Sequence, residues 1–165
     1  MGAKLGFDQL KADDIELIRN FEATLADIKP DMTIFYQLLI NFPVDIQGED
    51  EIIKYFSESY YMEPVKTQRE SFAAVMQKYT ERIKQNNISQ EEKKRKMTES
   101  NPRFVLRNYL LHQAIQGLEK GENTLFMKLQ EAIKQPYSTS ANEFFTKRPD
   151  WASQQAGCSM LSCSS

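Results

Sequence analysis

At 165 residues with 41% hydrophobic content, the chain is large enough for one ordinary domain with its own core. Its 21 basic and 23 acidic side chains leave a net charge of −2, which excludes a general electrostatic pull toward nucleic acid or an anionic membrane. No apolar run approaches the roughly 20 residues that a bilayer span needs, and the amino end lacks a basic-then-apolar secretory pattern. The chain is therefore expected to be soluble and cytoplasmic, with no membrane or nucleic-acid partner.

In chain order, Ile15, Ile18, Phe21, Leu25 and Ile28 recur at three or four, which predicts a helix over 13–28 with Asp13 and Glu16 as a capping box. Lys29-Pro30 ends it, and Asp31 caps a shorter helix through Phe35, Leu38 and Leu39 that Pro43 stops, so the two form a hairpin. Ile52, Ile53, Tyr55 and Phe56 predict helix within 50–61. Pro64 suits the first turn of a longer helix lined by Phe72, Val75, Met76, Tyr79 and Ile83 and weakening near Asn86. Ser89-Gln-Glu-Glu92 is a second capping box, opening a charged helix in which only Met97 is clearly apolar. Its Lys93-Lys-Arg-Lys96 run is flanked by Glu91, Glu92 and Glu99 without interleaved aromatics, so it reads as a solvated connector rather than a nucleic-acid surface.

The stretch from Asn101 to Gly121 predicts the best-specified helix, with Asn101 as its cap, Pro102 at the first helical position and Gly121 in the left-handed stop. Phe104, Leu106, Leu110, Leu111, Ala114, Ile115 and Leu118 give it one broad apolar face. Arg103, Arg107 and Asn108 lie on its polar side, positioned for an anion or for carboxylates of a neighbouring part, the second being the favoured reading. Leu125, Met127, Leu129, Ala132 and Ile133 predict a further helix over 124–134, antiparallel to it and stopped by Pro136. From Tyr137 onward no period is sustained, and Phe144, Phe145 and Trp151 read as isolated anchors of a tail. There is no strand pattern and no repeat. The expected fold is an all-α, irregular bundle of about six to seven helices over 1–135, followed by an extended tail over 136–165.

No glycine-rich phosphate loop, His-Arg-Asp or Asp-Phe-Gly sequence occurs, so the chain offers no catalytic or metal-binding residues of its own. His112, the sole histidine, reads as a surface or packing residue. Cys158 and Cys163 both lie in the last eight residues, a poor staple for a fold but a place to present a thiol. Their spacing differs from that of a thioredoxin-type pair, which weighs against a thiol oxidoreductase.

Asn101-Pro-Arg-Phe-Val-Leu-Arg-Asn-Tyr-Leu110 resembles a signature of the SelO family, also called YdiU or selenoprotein O. Met1-Gly-Ala-Lys-Leu-Gly-Phe7, Gln135-Pro-Tyr137, Pro149-Asp-Trp-Ala152 and Ser162-Cys-Ser-Ser165 are similar to further segments of that family in the same order, and Asp31-Met-Thr33 stands where its members carry Asp-Tyr-Thr. The resemblance implies a pseudokinase-like protein that transfers AMP from ATP to protein hydroxyls, with the ATP and magnesium residues in a larger amino-terminal part that this chain does not match. It implies that the chain is the carboxyl-terminal helical portion, inactive alone, with the kinase-like part as its partner and protein substrates for the whole. It also implies a redox role for Cys163, third from the end, linked to a cysteine of the amino-terminal part. The alternative is a free-standing helical interaction module.

Overall fold

The structure, a computed structural model, describes residues 1–155 and residue 158, and every regular element among them is helical. The chain folds as two compact units, Met1–Asn101 and one beginning at Pro102.

In the first unit α1 (Gly2–Leu5) is a single turn closed by Gly6, whose φ of 76° is a left-handed conformation that glycine adopts without strain. α2 (Asp14–Ile28) turns Leu17, Phe21, Leu25 and Ile28 inward, leaving Ile15 exposed. The expected Asp13 capping box does not form: Asp13 is itself helical in φ and ψ, and Asp14 takes the backbone amide of Lys11 at 2.8 Å instead. α3 (Met32–Ile40) is capped as expected, the Asp31 carboxylate accepting from the Ile34 amide at 3.2 Å. α4 (Glu49–Tyr55) runs into a 3₁₀ turn at Ser57–Ser59, and α5 (Lys66–Lys84) is the longest element.

α5 packs against both α2 and α4. Between them Phe35 stacks on Phe56 with centroids 4.8 Å apart, and Phe21 and Phe72 meet Phe35 at 5.9 Å. Each such ring removed from water contributes on the order of 1.5–3 kcal/mol, so this aromatic cluster is the energetic centre of the unit.

α6 (Gln90–Ser100) starts at the predicted Ser89 cap, whose hydroxyl accepts from the Glu92 amide at 3.1 Å. It is not the solvated connector expected from its charge. Lys93 and Met97, four apart, are buried where α6 packs on α1 and α3, and burial pushes the Lys93 ammonium below its ordinary pKa. The long aliphatic stem of Lys93 covers Gly6 as an apolar residue would.

In the second unit α7 (Asn108–Glu119) starts six residues later than Pro102 suggests. Asn101 does not cap it but ends α6, in the extended conformation that a residue preceding proline prefers. Pro102 thus follows a helix stop instead of opening a helix, and the amides of Arg103 and Phe104 both donate to the Pro136 carbonyl at 2.8 Å. At the other end Gly121 takes the expected left-handed conformation, with φ of 81°. α8 (Thr124–Lys134) packs on α7 over the predicted range.

The segment beyond Pro136 carries a 3₁₀ stretch, Thr139–Phe144, and a short α9 (Trp151–Gln154). Of the three expected anchors only Phe144 is buried, Phe145 being half-buried and Trp151 exposed. Phe144 is buried 5.7 Å from Phe104, and Trp151 meets Tyr109 edge-on at 6.0 Å. Ala152 and Cys158 are buried with the same cluster.

Candidate functional site

Apart from the partly exposed ion pairs of Arg69 with Glu49, Asp50 and Glu63, two constellations among the described residues concentrate polar chemistry. One lies around the signature segment of the second unit. Arg103 donates from Nε to the Asn142 side-chain oxygen at 2.8 Å, and its guanidinium carbon sits 4.0 Å from the centre of the Phe145 ring. Arg107 is the residue before α7, where its carbonyl accepts from the Leu110 amide at 3.0 Å and the Leu111 amide at 3.1 Å. Asn108 is half-buried at the first position of that helix. The three do not form a single helical row, because α7 begins only at Asn108. His112, half-buried one turn further on, has a ring Nε2 shielded from solvent and without a hydrogen-bond partner among the described residues.

The expected redox residue, Cys163, lies outside the described residues. Cys158 is inside them and buried as a member of the apolar cluster of the second unit, which also holds Phe104, Leu110 and Leu129.

The other constellation was not singled out as a site in the sequence. Arg82, on the inward face of α5, donates from Nε to Asp14 Oδ1 at 2.6 Å and from Nη2 to Asp14 Oδ2 at 3.1 Å, a bidentate pair. Nη2 also reaches the Gln9 carbonyl at 2.8 Å and Asp8 Oδ1 at 3.3 Å, while Nη1 donates to Asn86 Oδ1 at 2.9 Å. Asn86 then donates from Nδ2 to the Gly6 carbonyl at 2.8 Å, and the Asn87 amide donates to Asp8 Oδ2 at 3.0 Å.

Hydrogen bonds from the Asn87 and Gln9 amides, together with Arg82, outweigh burial and hold Asp8 down at about 2. For Asp14, burial raises the carboxyl pKa, but the Arg82 hydrogen bonds and the Lys11 amide overcome it and the net direction is down. Arg82 is correspondingly raised by its bond to Asp14. Every acid here already has its donors, so the cluster locks the segment between α1 and α2 onto α5 and offers no open valence for a substrate. A signal for it existed: Asp14 falls in register with Leu17, Phe21, Leu25 and Ile28, and Arg82 beside Tyr79 and Ile83, charged residues in apolar rows.

Among the described residues there is no group of three or more His, Cys, Asp or Glu side chains able to hold a metal ion, and no helix is long and apolar enough to cross a membrane.

A family profile described as protein adenylyltransferase SelO matches residues 1–134. The chain is 53% identical over its full length to a protein nucleotidyltransferase YdiU of Cytophaga hutchinsonii, of which it covers 32%. It is 36% identical to the protein of the same name from Aromatoleum aromaticum and from Xanthomonas euvesicatoria, covering 31% of each. The chain therefore spans about a third of the length of these relatives while being matched almost end to end. On that evidence the chain belongs to the SelO family of protein adenylyltransferases.

Proposed function

We propose that this chain is the carboxyl-terminal helical portion of a SelO-type protein adenylyltransferase, which transfers AMP from ATP to hydroxyls of protein substrates in the cytoplasm. In this reading it packs against the kinase-like part that holds ATP and magnesium, and it is inactive without that part. One observation carries the reading: relatives named as nucleotidyltransferases align along the whole chain, yet the chain makes up only about a third of them. Its place at the carboxyl end is supported by the likeness of Pro149-Asp-Trp-Ala152 and Ser162-Cys-Ser-Ser165 to the family's closing segments.

Cys163 is the proposed redox residue. As a disulfide with a cysteine of the kinase-like part it would tether the two parts, its formation passing two electrons and two protons to an oxidant such as glutathione disulfide.

The test incubates the chain with ATP, magnesium and a protein acceptor, alone and with the remaining two thirds of the Cytophaga relative. No AMP transfer by the chain alone, with transfer in the mixture, supports the reading. Transfer by the chain alone overturns it. In the active mixture Cys163→Ser should remove the response to glutathione disulfide and leave the reduced rate unchanged; an unaltered response rejects the role of the thiol. A stable chain that never engages the complement would instead favour a free-standing interaction module.

A further inference from the structure

α7 carries two apolar rows, and among the described residues only one of them is buried in a core. Leu110 and Ala114 are buried in the core of the second unit. The other row, Leu111, Ile115 and Leu118, has the i, i+4, i+7 spacing that aligns side chains along one helical face. Leu111 is only half-buried and is not part of the core cluster, while Ile115 and Leu118 are 45% and 43% exposed. These three aliphatic side chains therefore lie together along one face of the helix instead of being scattered around it.

We infer that this row on α7 is the seat for the rest of the SelO-type polypeptide, received through aliphatic or aromatic side chains of that part. The inference rests on the reading above and names the surface it leaves open. The row falls inside residues 1–134, the span the family profile matches, and in the relatives the remaining two thirds or so of the polypeptide is covalently joined to the matched part. A tethered surface meets this face at an effective concentration in the millimolar range, whereas a second copy must be recruited from dilute solution, so attached chain is the favoured occupant. The helix-in-groove mode, anchored by residues at this spacing, is a general way for a helix to seat such a surface.

The experiment measures binding of the full chain to the remaining two thirds of the Cytophaga relative, using the wild type, Ile115→Glu/Leu118→Glu, the milder Ile115→Asn/Leu118→Gln, and the control Met62→Glu, which changes an apolar residue of the other unit exposed to 81%. Both α7 double variants should weaken binding at least about tenfold, with unchanged helical circular dichroism, and the Met62 control should bind as the wild type does. Hydrogen exchange across 111–118 should slow on binding. If the wild type and control bind and the α7 variants bind equally well, the row is not the seat while the functional reading stands. If neither wild type nor control binds, the reading that these parts associate fails. A concentration-dependent dimer of the chain that the α7 variants abolish, with binding to the complement unchanged, makes a second copy the occupant and overturns the inference.

Discussion

Asn101 Nδ2 donates to the backbone carbonyl of Lys4 at 3.0 Å, joining the two ends of the first unit across nearly its whole sequence. The same nitrogen donates to the Met97 carbonyl at 3.0 Å, and the Asn101 carbonyl accepts from Gln37 Nε2 at 2.9 Å. One buried amide thus ties α1, α3 and the end of α6 together. Replacing Asn101 by Ala leaves the Lys4 carbonyl without this donor, while the Met97 carbonyl keeps the backbone amide of residue 101 at 2.9 Å, and should cost about 1–3 kcal/mol. Urea unfolding checks this; an unchanged midpoint would mean that solvent takes over the bond to Lys4.

Arg82 and Asp14 are each almost fully buried, with side-chain exposures of 7% and 2%. Arg82→Met strands the Asp14 carboxylate and should lose about 3–5 kcal/mol, because an uncompensated charge is then left inside. Arg82→Met combined with Asp14→Leu should recover part of the loss. Thermal unfolding of the single and double variants decides: a double variant no better than the single one places the cost elsewhere.

The same cluster sets the acid limit. Asp8 is lowered from 3.8 to about 2, so its contribution is fully present above the unfolded value of 3.8 and is lost as pH falls through about 2. Asp14, also lowered, acts in the same direction. The first unit should therefore lose stability progressively between about pH 4 and pH 2. Asp8→Asn should flatten that slope in urea titrations monitored by circular dichroism; an identical slope removes Asp8 from the account.

Gly6 is constrained twice. Its φ of 76° disfavours any side chain, and a β-carbon there would stand 2.7 Å from the Met97 sulfur and 3.0 Å from Lys93 Cγ. Gly6→Ala should destabilise by about 1–3 kcal/mol through strain and overpacking together. Gly121 has a similar φ but open space around it, so Gly121→Ala should cost less. Equal losses at both positions would mean that backbone strain alone governs Gly6.

Cys158 is 3% exposed. In a Cys163→Ser chain the remaining thiol should react with an aromatic disulfide reagent at least about tenfold more slowly than free cysteine, and at the free rate once unfolded. Immediate stoichiometric labelling of the folded chain would contradict its burial.

The sequence by itself determined the helical class, the Asp31 and Ser89 caps, the range of α8 and the Gly121 stop, because each rests on interactions within a few residues. It also carried the family resemblance, through motifs spaced along the whole chain. Asn101-Pro102 was ambiguous, since a cap with proline at the first helical position and a helix ending before proline are written with the same two residues. Tertiary structure chose the second by burying Asn101 against Lys4 and Met97 and by giving the Arg103 and Phe104 amides to the Pro136 carbonyl. It likewise turned Lys93 inward and paired Arg82 with Asp14. Those outcomes depend on partners as many as 97 residues away, whose positions no local period encodes. The exposed row on α7 has the same origin: periodicity marks Leu111, Ile115 and Leu118 as apolar, but only the packed unit reveals that, among the described residues, Ile115 and Leu118 stay exposed and Leu111 half-buried.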